Sequence, residues 1–429
     1  MKLWDKGYSI DRKIESFTVG RDRELDMYLA HYDAVASKAQ ANMLAETGLL
    51  ESAENEQLQE ALDSIIADIA SGDFEIEESF EDIHSKIEHR LIEKCGDAGK
   101  KIHTARSRND QVLVAIHLFL RDFLKEVADK GLQLVDLLLE KADQHKDDLL
   151  PGYTHFQAAM PSSFGLWFSA YAENLLSDLA FVKAAYTVAD QNPLGSGAGF
   201  GTSFPVNRSK TTEEMGFGSM AVSSVGAQML RGKSEKAVAV AMAMVSSTLG
   251  KMSYDLVMYN SQDMGFVQLP DALTTGSSIM PHKKNPDVFE LTRAHSNRMQ
   301  ALPMDITMII SNLPSGYHRD FQLLKEVLFE AMKQFHTLLD IMIYAVPQIK
   351  IASDYMAQEK YDSIYTVENI NHLIKSGVPF RDAYKQVGGE VEEKTYKPHK
   401  DFKTSHEGSI HRLSLELIQE KRNKFSLDS

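Results

Sequence analysis

Cysteine is almost missing from this chain. Cys95 stands alone among 429 residues, which excludes an intramolecular disulfide and fits a reducing compartment. No run of about 18 apolar residues occurs, and Met1-Lys2-Leu3-Trp4-Asp5-Lys6 is followed by no apolar signal core. Neither a membrane span nor a secretory signal is therefore expected, and the expected location is cytoplasmic. Positive charge is in deficit too. With 46 Lys and Arg against 61 Asp and Glu, the formal net charge of -15 argues against a nucleic-acid partner, because phosphate binding needs a basic field. The first hundred residues contain no proline, and no two-residue alternation rises above background, so sheet structure is not expected.

What the chain has in quantity is helical periodicity. Leu25, Leu29, Tyr32 and Val35 fall at helical spacing over residues 22 to 46, and Leu58, Leu62, Ile65 and Ile69 form a second stripe. A third segment opens with Ser79 and Asp82 in capping-box spacing, runs through Phe80, Ile83, Ile87 and Leu91, and stops at Cys95-Gly96. From Asn109 to about Gln144 a stripe of Val112, Ile116, Phe119, Phe123, Val127, Leu134 and Leu138 predicts one helix of roughly 50 Å. Leu113, Leu120 and Leu124 give it a second apolar face, which suggests helices from other subunits. Comparable segments cover 162 to 190, 234 to 262, 287 to 312 with Pro303 as a kink, and 320 to 346. Five such segments imply a long bundle. After Pro347 the pattern shortens. The expected class is all-α with three helical domains: residues 1–105, a central long-helix bundle at 106–354, and a small C-terminal domain at 355–429.

Between the long helices lie loops rich in proline and glycine. The densest chemistry sits in Thr275-Gly276-Ser277-Ser278-Ile279-Met280-Pro281-His282-Lys283-Lys284-Asn285-Pro286. Small residues there let the backbone offer N–H groups to an anion, and the lysines add positive charge. This loop is similar to the signature loop of the fumarase/aspartase superfamily, whose members eliminate fumarate from succinyl adducts. Lys283 to Asp287 with Glu290 resembles the argininosuccinate lyase branch. So do Thr104-Ala105-Arg106-Ser107-Arg108-Asn109-Asp110-Gln111, Gly152-Tyr153-Thr154-His155-Phe156-Gln157, Leu313-Pro314-Ser315-Gly316-Tyr317 with Gln322 and Lys325, and Gly377-Val378-Pro379-Phe380-Arg381. The resemblance runs from about residue 17 to about residue 390. It departs at Leu3-Trp4-Asp5-Lys6-Gly7-Tyr8, where the branch commonly has Leu-Trp-Gly-Gly-Arg-Phe, and at His282, where glutamine is usual.

The resemblance implies loss of fumarate from argininosuccinate to give arginine, the last step of arginine biosynthesis. It also implies a homotetramer with a twenty-helix core and active sites shared between subunits. Removing a proton beside a carboxylate generates a doubly charged aci-carboxylate, and preorganised donors are the largest available remedy. Lys283, Asn285 and loop amides suit that task. The resemblance assigns Ser277 as general base, His155 or a water it controls as general acid, and Glu290 as the carboxylate partner of His155. Arg108 and Asn109 suit a carboxylate of the fumarate moiety. Ser107 and Thr154 are implied as hydroxyl donors, Tyr317, Gln322 and Lys325 as contacts to the rest of the substrate, and Thr18 and Asp22 as holders of the arginine end. Asp82 and His84 also resemble a motif near the site.

Two patterns are set aside. Gly195-Ser196-Gly197-Ala198-Gly199-Phe200-Gly201 lacks the strand that a dinucleotide fingerprint requires, and reads as a flexible loop at a bundle end. His84, Glu88 and His89 match neither common zinc spacing. No metal and no organic cofactor is expected. The alternatives to the main reading are a lyase for an N-acylated argininosuccinate or another succinyl adduct, and a non-catalytic, crystallin-like structural protein.

Overall fold

A computed structural model describes residues 11–427; the divergent stretch Leu3 to Tyr8 lies outside them. The architecture is all-α with a few short strand pairs. Helix α1 (Arg12–Val19) starts at Asp11, whose carboxylate accepts the Lys13 N–H at 2.8 Å. A helical turn, Asp22–Leu25, and a 3-10 turn, Asp26–Leu29, lead into α2 (Ala30–Glu46). Buried alanines at 30, 34 and 41 let α2 lie close to α3 (Ser52–Ser71), where Leu58, Leu62 and Ile65 face the same apolar cluster. Helix α4 (Ile83–Cys95) closes that cluster and ends at Gly96, as its sequence predicts.

Its start differs from expectation. Asp82 is itself the cap: its Oδ1 accepts the Ser85 N–H at 2.8 Å and the Ser85 hydroxyl at 2.7 Å, while Ser79 stays outside the helix. A carboxylate in extended backbone at a helix N-terminus meets both the orphan N–H groups and the dipole, so the aspartate wins the position.

The long helices follow the periodicity closely. Helix α5 (Arg108–Gln144) has 37 residues, and a hairpin returns the chain into α6 (Phe164–Ala189), which packs along it. Helix α7 (Lys233–Tyr259) lies against α6, and Asp255 joins them by accepting Trp167 Nε1–H at 2.9 Å and the Tyr171 hydroxyl at 2.7 Å. The segment expected at 287 to 312 is not one kinked helix. It divides into α8 (Asp287–Met299) and α9 (Leu302–Ile310), with Pro303 in the first turn of α9, where its missing N–H leaves no intrahelical bond unmade. Helix α10 (Leu323–Ala345) completes the bundle against α5 and α9.

The second apolar face of α5 also needs correction. Leu113, Leu120 and Leu124 are buried within their own chain, because α2, α6 and α10 wrap α5 from several sides. That face does not call for another subunit. Exposed apolar side chains lie elsewhere, at Tyr254 on α7, Leu291 on α8, and Met304 and Met308 on α9.

Strands are present despite the missing alternation. β1 (Leu149–Thr154) and β2 (Gln157–Ser163) form an antiparallel hairpin between α5 and α6. β3 (Thr275–Gly276) and β4 (Lys284–Asn285) pair Thr275 with Asn285 and Gly276 with Lys284, so the signature stretch is a closed loop standing on a short ladder.

Toward the C-terminus, α11 (Thr366–Lys375) and α12 (Phe380–Glu392) share a small cluster of Ile370, Ala383 and Val387. Helix α13 (Leu415–Lys424) turns back onto α5 and α6. Ile418 joins the central core there, and Arg422 forms a two-pronged pair with Asp136 at 2.7 and 2.6 Å.

Candidate active site

A cavity of about 290 Å3 opens where the α1–α2 connection, the N-termini of α4 and α5, and the approach to α10 converge. Eight of the residues expected in or near the site line it: Asp22, Asp82, His84, Arg108, Asn109, Tyr317, Gln322 and Lys325. Each is placed by a local signal. Ser107 caps α5 in a capping box with Asp110: Ser107 Oγ accepts the Asn109 N–H at 3.2 Å, and Asp110 Oδ1 accepts the Ser107 N–H at 2.9 Å. The first turn of α5 therefore presents Arg108 and Asn109 to the cavity.

Arg108 donates to Asp82 Oδ1 at 2.9 Å and to Ser85 Oγ at 3.4 Å. Burial pushes the Asp82 carboxyl up, but Arg108, with His84 and Ser85, outweighs it and holds Asp82 below the usual carboxylate range. His84 also lines the cavity, with its Nδ1 3.0 Å from the fully buried Asp33. Gln111 donates to the same carboxylate at 2.9 Å. Burial opposes ionisation of Asp33, and His84, Arg106 and Gln111 more than offset it, so its carboxyl is held low.

A three-membered charge cluster also lines the cavity. Lys325 Nζ lies 2.5 Å from Asp22 Oδ1 and 2.6 Å from Asp26 Oδ1, with all three side chains largely buried. Burial alone would lower the Lys325 pKa, but the two carboxylates raise it above the ordinary value. One ammonium cannot compensate two carboxylates equally. Burial, with the Asp26 charge beside it, pushes the Asp22 carboxyl up to about 6 against the pull of Lys325.

Gln322 has its amide engaged on both sides. Its Nε2 donates to Thr18 O at 2.9 Å and Val19 O at 3.0 Å, and its Oε1 accepts Arg319 Nε–H at 3.0 Å. Thr18 thus meets the site through its carbonyl, while its hydroxyl donates to Ile14 O at 2.9 Å. Sequence reasoning missed Asp26, Glu81, Arg231 and Arg319, all on the cavity wall. Asp26 could have been found, since it stands one helical turn after Asp22. Arg319 lies between two named residues, Tyr317 and Gln322; nothing in the sequence marks Arg231.

Two other groups of expected residues stand apart from this cavity. Thr154 and His155 sit at the exposed tip of the β1–β2 hairpin, where His155 and Phe156 have φ of 54° and 58°. Positive φ at both central residues is the geometry of a two-residue hairpin turn, and neither residue is glycine. The third group is the signature loop. Ser277 Oγ accepts the N–H groups of Ile279 at 3.4 Å and Met280 at 3.1 Å. Lys283 Nζ donates to Asn285 Oδ1 at 2.5 Å, Thr275 bonds Asp287, and Lys284 pairs with Asp271. Glu290 occupies the first turn of α8. The expected pairing of His155 with Glu290 is not made within the chain, and neither these residues nor Ser277 line the cavity.

The glycine-rich run is not a loose loop. Gly195 and Gly197 donate their N–H groups to Asp110 Oδ2 at 3.0 and 2.8 Å, and Gln228 reaches Ser196 Oγ at 3.0 Å. It is pinned to the start of α5, through Asp110 in the same turn as Arg108. Among the described residues no three His, Cys, Asp or Glu side chains gather as a metal site requires; Glu88 faces His103 and His89 faces Glu93 instead.

A family model described as lyase matches residues 11–301. An argininosuccinate lyase of Phocaeicola vulgatus is 51% identical over 418 residues, spanning 97% of this chain and 94% of that protein. An argininosuccinate lyase of Thermotoga neapolitana is 39% identical over 389 residues, spanning 90% of this chain and 97% of that protein. Among solved structures, EDDS lyase in complex with formate matches with a TM-score of 0.79 at 21% identity, covering 97% of this chain and 91% of that one, which is a likeness of fold.

Proposed function

Because the chain belongs to the lyase family that these relatives share, we propose that it is a carbon-nitrogen lyase that eliminates fumarate from L-argininosuccinate and releases L-arginine, the last step of arginine biosynthesis. The observation that supports this most is the charge layout of the cavity. Arg108 and Asn109 line it, suited to a carboxylate of the succinyl part, and so do Asp22, Asp26 and Lys325, suited to an amino acid's charged end. Tyr317 and Gln322 line it as well, and Ser107 and Thr18 bond lining residues Asn109 and Gln322.

In this reading Ser277 is the base. A serine oxygen removes a carbon-bound proton only as an alkoxide, and Ser277 Oγ already faces two backbone N–H donors that favour negative charge on it. Lys283 and Asn285, coupled to each other, stand in the same loop to meet the charge that develops on the substrate carboxylate. His155, or a water it controls, protonates the leaving nitrogen, with Glu290 orienting the imidazole and Thr154 donating a hydroxyl bond. We further propose the three-domain division at residues 105 and 354, a cytoplasmic location, and a homotetramer with a twenty-helix core. In that assembly one chain's cavity meets the hairpin tip and the signature loop of others. The separation of the three groups within one chain supports this.

The test is fumarate release, followed by ultraviolet absorbance, with argininosuccinate, its N-acylated form and adenylosuccinate offered separately to the purified protein. Turnover of argininosuccinate is expected. Turnover of another adduct alone would overturn the specificity, and turnover of none would overturn the activity.

A further inference from the structure

One cavity residue has no part in the chemistry above, although it touches three segments that build the site. Arg319 donates from Nε to Gln322 Oε1 at 3.0 Å and from Nη2 to Thr18 O at 2.7 Å, and Nη2 also reaches Glu81 Oε1 at 3.2 Å. Because Arg319 carries only donors, the Gln322 oxygen must face it, which turns the Gln322 NH2 toward Thr18 O and Val19 O. Those carbonyls are the last two of α1. The chain that leaves them arrives at Asp22 on Lys325, and the residue after Glu81 is Asp82, which holds Arg108.

We infer that Arg319 is a positioning residue for the proposed reaction: it sets the Gln322 amide and seats the two wall segments that carry Asp22 and Asp82. Its side chain is 52% exposed, so its ion pair with Glu81 contributes little by charge alone. The shape of the guanidinium matters more. Nε–H and Nη2–H leave one edge of a rigid plane and reach separate acceptors, whereas a lysine ammonium at the end of a flexible stem cannot hold all three.

The inference rests on the argininosuccinate reading, so wild-type turnover is the control. If the wild type does not act on argininosuccinate, the reaction assigned is wrong; if it does and the variants match it, only the role of Arg319 is wrong. Arg319→Ala is expected to raise KM for argininosuccinate by about 10-fold while kcat stays within about 2-fold. Arg319→Lys is expected to recover little of this loss. The double variant Arg319→Ala/Gln322→Ala should have a KM within about 2-fold of Gln322→Ala alone, since both act through one contact. Full recovery in Arg319→Lys, or losses that multiply in the double variant, would overturn the inference by showing that the charge meets substrate directly. Limited trypsin digestion reads the same latch without substrate. Cleavage after Arg21 and Arg23 should be faster in Arg319→Ala than in wild type, and equal rates would count against it.

Discussion

Replacing Asp22 with asparagine should stabilise the protein at neutral pH, although it removes one arm of a buried ion-pair cluster. Lys325 lies 2.5 Å from Asp22 and 2.6 Å from Asp26, so it retains a buried carboxylate in the variant. Asp22 is the carboxylate left short of compensation, with its pKa raised from 3.8 to about 6 mainly by burial. The folded chain thus holds this proton more tightly than the unfolded chain. Stability must fall as pH rises from about 4 to 6 and stay reduced above that range. A rise from 3.8 to about 6 corresponds to about 3 kcal/mol when the group is fully ionised.

With an unfolding entropy of about 2.1 cal/mol/K per residue, 3 kcal/mol shifts the midpoint of a chain of 429 residues by about 3 °C. Scanning calorimetry at pH 7.5 and pH 4.5 checks this at roughly constant scan rate. Asp22→Asn should melt higher than wild type by up to about 3 °C at the upper pH and by only about 1 °C at the lower, where the unfolded carboxyl is ionised but the folded one is not. A variant that melts lower at pH 7.5, and less so at pH 4.5, would refute the reasoning, because Asp22 would then be a net favourable partner of Lys325. The same titration bears on binding. If ionised Asp22 holds the cationic end of the substrate, wild-type KM should rise as pH falls through about 6, and KM of the variant should be high and flat.

Three further outcomes are expected. Ser277→Ala should lower kcat by roughly 10² to 10⁴ with KM little changed, read by fumarate release; a rate near wild type would remove Ser277 as base. Mixing Ser277→Ala chains with Arg108→Ala chains after dissociation should restore activity to about a quarter of the sites, if each site draws these residues from different subunits. No recovery with verified mixing would count against shared sites. Gly165→Ala should destabilise by about 1 to 3 kcal/mol in thermal melts, since a Cβ there would lie 2.6 Å from Lys146 Cα and 2.7 Å from Ala142 O, where α6 starts against the end of α5. An unchanged midpoint would mean that the helix ends separate freely.

The helices were legible because their code is local. Helix α5 runs from a Ser107–Asp110 capping box through an uninterrupted stripe, and its observed start is the arginine after Ser107. The β1–β2 hairpin was not legible. Its burial shows no alternation, because both faces of the ribbon are partly exposed and Pro151, Gly152 and Pro161 dilute the strand signal. A stripe also says that a face is covered without saying by what, which is why Leu120 and Leu124 suggested a partner that α6 and α10 supply within the chain. In the site, motif residues carried their type but not their neighbours. Arg108 and Lys325 share one cavity at a separation of more than two hundred residues, whereas His155 and Glu290, expected to touch, do not.

That last separation has a physical consequence. An alkoxide on Ser277 needs donors and also a dry setting, because bulk water screens the dipoles that stabilise it. Ser277 has the donors, yet its loop is open: Ile279 and Lys283 are exposed, as is His155 at its hairpin tip. The cavity has the reverse character, a wall of paired charges that includes neither Ser277 nor His155. Each part lacks what the other holds. On the proposed assembly the two are brought together by the approach of separate copies, with β1–β2 held between α5 and α6 and β4 leading directly into α8. Tyr254, Leu291, Met304 and Met308 on α7, α8 and α9 are exposed apolar side chains that the proposed assembly could cover. On the proposed assembly, then, association does more than add stability: it supplies the low-dielectric cover under which Ser277 can work as a base.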